Sequence, residues 1–60
     1  MSRDRVAART FIDDAARTLM EADITLGDPH CDMASVERRL LGALELLLNA
    51  LAALRGSRSR

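Results

Sequence analysis

Residues 40–54 read LLGALELLLNALAAL, a run of leucine and alanine that only Gly42, Glu45 and Asn49 interrupt. Its leucines recur in alternating steps of four and three, the spacing that packs one helix against another in coiled coils and bundles. The residues at these seam positions are Leu40, Leu44, Leu47, Leu51 and Leu54. Flanking apolar residues widen the stripe to about half of the helix circumference. This stretch therefore predicts a long helix that a single partner helix does not cover.

A second amphipathic pattern precedes this stretch. Apolar residues recur at steps of three and four, which places them on one face of a helix at about 100° per residue. They are Ala8, Phe11, Ile12, Ala15, Leu19 and Ala22. Ser2 is a suitable N-cap and Asp4 falls in the first turn, where the helix dipole favours an acid. We therefore predict a first helix over about residues 3–22.

The segment between these patterns predicts a turn over about residues 23–28. Gly27 can adopt a left-handed conformation, and Pro29 suits the first position of a new helix because it lacks an N–H group. The second helix is then expected over about residues 29–55, with Asp28 as its cap and Asp32 or Ser35 as alternatives. Residues 56–60 are expected to form a frayed tail.

The composition predicts an all-α protein made of a single helical hairpin. Phe11 is the only aromatic residue and Cys31 the only cysteine, so the chain forms no internal disulfide. A chain of 60 residues buries little surface, and small domains of this kind usually depend on a partner subunit. We therefore expect a homodimer or a higher oligomer in which hairpins form a four-helix bundle. The expected interface residues are Phe11, Ile12, Leu19, Leu40, Leu41, Leu44, Leu47, Leu48, Leu51 and Leu54.

The net charge is zero, but the charges are unevenly distributed along a hairpin. The end with both termini carries six arginines against Asp4, a net charge of +5. The turn end carries seven acids against three arginines, a net charge of −4, and Glu45 lies between the two ends. Two hairpins in opposite directions bring each basic end beside an acidic one. The charge pattern therefore predicts an antiparallel four-helix bundle.

Residues with catalytic or metal-ligand chemistry are few. His30 and Cys31 are the only metal-site candidates, and no second Cys or His completes a zinc or iron spacing. A nucleophilic Cys31 would need a positioned base, whereas the single histidine is its neighbour in sequence and points elsewhere. We expect a polar turn here, no cofactor and no enzymatic activity.

The sequence thus predicts a small oligomerising helical protein that acts as a protein-interaction, scaffold or regulatory module, with itself and other proteins as partners. An alternative is a nucleic-acid-binding regulator whose basic end contacts phosphate or an acidic partner. The candidate contacts are Arg3, Arg5, Arg9, Arg55, Arg58 and Arg60. A second, less favoured alternative is an amphipathic peptide on a membrane surface. The polar N-terminus predicts a cytoplasmic location with a reduced thiol.

Overall fold

Two antiparallel helices make up the computed structural model, which describes residues 3–58 and their side chains as far as Gly56. Helix α1 spans Arg3–Leu26 and helix α2 spans Met33–Arg58. The expectation of an all-α helical hairpin is confirmed. The Cα atoms extend over 48 × 17 × 9 Å, so the hairpin is a flat layer that is one helix thick.

Small residues at seven-residue intervals form the seam between the two helices. The residues that are at least 96% buried are Ala8, Ala15 and Ala22 in α1 and Val36, Ala43 and Ala50 in α2. In an antiparallel hairpin the two sets run past each other, so Ala15 and Ala43 share the middle level and Ala22 lies opposite Val36. Alanine lets the two backbones approach closely, but its burial contributes little hydrophobic free energy. Among the described residues, no large side chain is fully buried.

Helix α1 continues four residues beyond the predicted end at residue 22. Ile24 and Thr25 are β-branched and mildly unfavourable in helices, but Thr25 makes a contact with α2. The Thr25 hydroxyl donates to the Glu21 carbonyl oxygen at 2.8 Å and accepts a hydrogen bond from Arg39 Nη1 at 2.8 Å. This bond between the helices is partly buried. A tertiary contact thus overrides the local preference for a turn.

The connection between the helices also differs from the sequence prediction. None of the described residues has positive φ, so the left-handed Gly27 was a wrong expectation. The Gly27 N–H instead bonds the carbonyl oxygens of Asp23 and Ile24 at 3.2 and 3.1 Å, which tightens the last turn of α1. Pro29 lies in the connection rather than at the first position of α2.

Helix α2 begins at Met33 because Asp32 caps it, one of the alternatives that the sequence left open. Its carboxylate accepts a hydrogen bond from the Ala34 N–H at 3.1 Å, which satisfies a free donor at the helix start. At the other end α2 continues through Gly56 to Arg58, so residues 56–58 are helical rather than a frayed tail. Residues 59 and 60 lie outside the described part of the chain.

Enlarging a seam residue should force the helices apart. We expect Ala43→Leu to lower the free energy of unfolding by about 1–3 kcal/mol, because the seam has no room for a larger side chain. The control is Ala52→Leu, the same substitution at an exposed position of α2, with an expected change within about 0.5 kcal/mol. Urea denaturation followed by circular dichroism measures both. Equal effects at the two positions would contradict the alanine seam.

The bond between Arg39 and Thr25 gives a second test. Thr25→Val keeps the shape of the side chain but removes the acceptor of Arg39, so we expect a loss of about 1 kcal/mol or more. Thr18→Val is the matched control, because the Thr18 hydroxyl donates to the Asp14 carbonyl oxygen within its own helix. Denaturation curves for the two variants should differ by that amount. Coincident curves would show that the bond adds nothing to stability.

Candidate interaction surface

The alanine seam leaves the large apolar side chains on one broad side of the hairpin, and we call this surface the leucine face. Its members are Ile12 and Leu19 from α1 and Leu40, Leu41, Leu44, Leu47, Leu48, Leu51 and Leu54 from α2. Each of them is between 39% and 61% exposed. Soluble monomers rarely expose a contiguous apolar surface of this extent, and such surfaces usually mark interaction sites.

A cleft near the termini shows that both helices contribute to this face. It has a volume of about 380 Å³ and is lined by Ile12 and Ala8 of α1, by Leu54 of α2, and by the two arginines Arg5 and Arg9. Ile12 and Leu54 therefore flank the seam on the same side of the hairpin. Leu19, seven residues after Ile12, continues that side towards the turn.

A second depression lies on α2 towards the turn. Its volume is also about 380 Å³, and Leu40, Leu41, Leu44 and Glu37 line it. The leucine face thus has cationic residues at the terminal end and a carboxylate at the turn end. This local arrangement has the same polarity as the overall charge distribution of the chain.

The other broad side of the hairpin is more polar. Arg39 and Thr25 meet there, and Phe11 and Thr18 precede Thr25 in α1 at seven-residue intervals. The structure therefore places Phe11 away from the leucine face, although the sequence grouped it with the leucines of that face. Leu46, seven residues after Arg39, lies on this side as well and is half-buried. The remaining residues of the expected interface do lie on the leucine face.

Among the described residues, the turn contains no group of His, Cys, Asp and Glu side chains that could hold a metal ion. His30 is exposed, and its backbone N–H donates to the Asp28 carboxylate at 3.0 Å. Cys31 is half-buried, with its Sγ atom 3.9 Å from Met33 Sδ. A carboxylate that caps a turn and a thiol beside a thioether are ordinary structural features.

The end of the hairpin that carries both termini, the basic end, exposes its described arginine side chains. Arg3, Arg5, Arg9 and Arg55 are all solvent-accessible, and they come from both helices. Arg60 and the side chain of Arg58 lie outside the described residues.

The edge of the leucine face on α1 carries Arg5, Arg9, Ala16 and Asp23, and we call it the α1 border. Sequence reasoning did not single out Ala16 or Asp23 as part of this border. Ala16 and Asp23 follow Arg9 at seven-residue intervals, and this spacing is the signal that identifies them.

Neither helix within residues 3–58 is both long enough and apolar enough to cross a membrane. Comparison with known proteins adds no relative: no protein-family model, no curated protein and no solved structure matches the chain.

Proposed function

We propose that the protein is a self-associating helical module in which two copies join their leucine faces to form an antiparallel four-helix bundle. The bundle then acts as a protein-interaction, scaffold or regulatory unit. The observation that carries this proposal is the exposure of nine large apolar side chains on one face of a chain whose own seam consists of five alanines and Val36. Burying such side chains stabilises a protein by about 1.5–3 kcal/mol each when burial is complete.

The size of the face supports a second copy as its occupant. The Cα atoms of the broad side extend over 48 by 17 Å, a projected area of about 800 Å². A standard protein–protein interface covers about that area on each partner. The face is also nearly flat, because the hairpin is only one helix thick, so two copies can stack as layers with every helix contacting two neighbours.

A nucleic-acid-binding regulator remains the second candidate, and the exposed arginines at the terminal end favour it. Arginine clusters bind phosphate and release counterions, so this function would show binding that falls steeply as salt rises. In the antiparallel bundle each basic end lies beside the acidic turn of the other copy, which lowers its attraction for phosphate. This competition is why we place self-association first.

A membrane-surface role uses the same leucine face but fits its borders less well. Glu37 lies beside Leu40 and Leu41 at the turn end of the face. Anionic headgroups attract arginine and lysine and repel such a carboxylate. We therefore rank this role below the other two.

The test places a charge in the middle of the leucine face. We expect Leu44→Glu to weaken self-association at least about tenfold, because the carboxylate would enter an apolar contact without a partner. Leu44 is 52% exposed in the hairpin, so the substitution removes little packing from a single chain. Sedimentation equilibrium measures the dissociation constant.

The matched control is Ile24→Glu, which adds the same charge to an apolar residue that is 70% exposed and not part of the leucine face. We expect this variant to associate like the unmodified protein. An unchanged dissociation constant for Leu44→Glu, or equal weakening in both variants, would contradict the proposal. Parallel titrations with duplex RNA over a salt series and with anionic vesicles then report directly on the two alternatives.

A further inference from the structure

The α1 border of the leucine face carries opposite charges at its two ends. Arg5 and Arg9 line the cleft near the termini together with Ile12. Asp23 follows Arg5 by 18 residues, which is five full turns at 3.6 residues per turn, so it lies on the same line of the helix. The Asp23 side chain is exposed. The border thus has two arginines near the termini and a carboxylate near the turn.

This border is complementary to its own reversed copy, with Ala16 at the centre. Arg9 lies seven residues before Ala16 and Asp23 seven residues after it. Ile12 and Leu19 lie between these charged residues and Ala16, at four residues before and three residues after it. Reversal of the border therefore places cation on anion and apolar residue on apolar residue. The exposed alanine at the centre leaves room for two helices to cross closely.

Helix α2 has the same symmetry at the same level of the hairpin. Its leucines at positions 40, 41, 47 and 48 are arranged evenly around Leu44, at distances of three and four residues on either side. Ala15 and Ala43 share the middle level of the seam, and Ala16 and Leu44 each follow one of them directly. One twofold axis can therefore pass close to both centres.

We propose that the partner on the leucine face is a second copy whose α1 lies antiparallel against α1, with the Arg9 side chain of each copy paired to Asp23 of the other. The twofold axis passes near Ala16 and Leu44, and α2 lies antiparallel against α2. This inference rests on the proposed self-association and specifies its geometry. It assigns two identical ion pairs to the border of the interface.

The parallel arrangement, with both turns at one end, places α1 against α2 at equal levels. Asp23 and Glu37 each lie one residue beyond a seam position, Ala22 and Val36, and those two positions are opposite each other. Asp23 of one copy would then approach Glu37 of the other. Like charges at such distances repel, so the charges on this face select the antiparallel dimer.

The single cysteine provides a direct probe of this geometry. A nitroxide on Cys31 lies twelve residues from the level of Ala43, about 18 Å along the hairpin at 1.5 Å per residue. The antiparallel dimer should therefore give a label-to-label distance of about 35 Å by pulsed electron paramagnetic resonance. Adjacent turns in a parallel dimer would bring the labels within about 20 Å, since neighbouring helices lie 8–10 Å apart.

Charge exchange tests the assigned contact. Arg9→Glu and Asp23→Arg should each weaken the dimer about fivefold or more at low ionic strength, because each creates two like-charge contacts. The double variant Arg9→Glu/Asp23→Arg restores both pairs and should return the dissociation constant to within about twofold. Asp14→Arg is the control, because Asp14 lies on the Thr18 side of α1, and it should leave association unchanged.

The outcomes separate this inference from the proposed function. A chain that stays monomeric overturns both. A stable dimer with labels within about 20 Å overturns the antiparallel geometry and leaves self-association intact. A long label distance combined with a double variant as weak as the single ones overturns the contact between Arg9 and Asp23.

Discussion

The close packing of alanine against alanine is the constraint on which the rest of this structure depends. Seam positions at seven-residue intervals are Ala8, Ala15 and Ala22 in α1, which lie opposite Ala50, Ala43 and Val36 of α2 in that order. Side chains this small bring the helices together but fill no volume beyond the seam. The larger leucines are therefore displaced to one broad side, where they remain between 39% and 61% exposed. A hairpin built in this way has its main apolar surface on the outside.

The separation of a small-residue seam from an exposed leucine face connects folding with association. Small domains have little net stability, and a core of alanine adds only a small hydrophobic contribution. Covering the leucine face supplies the burial that the seam lacks, so a second copy would stabilise the fold as it binds. The charges do not provide much of this energy, since exposed ion pairs are worth at most about 1 kcal/mol. In the proposed dimer these charges select the orientation of the second copy.

The sequence predicted the helix content and the hairpin because the 3.6-residue periodicity is strong in both segments. It did not identify which heptad forms the seam, since Leu40, Leu47 and Leu54 have the same spacing as the alanines and are far more hydrophobic. Only the seven-residue alanine spacing that both helices share indicates that the alanines form the seam. The end of α1 was missed because Arg39 bonds Thr25 across the hairpin. A contact between residues fourteen positions apart leaves no local signal in a single sequence.

The central claim is that the leucine face is covered by a second copy of the chain. Light scattering of the unmodified protein over a concentration series, combined with circular dichroism on the same samples, tests it most directly. We expect a species of twice the 6.6 kDa chain mass that loses mass and helicity together on dilution. A fully helical species of 6.6 kDa that persists at all concentrations would contradict it, because its leucines would then remain in water.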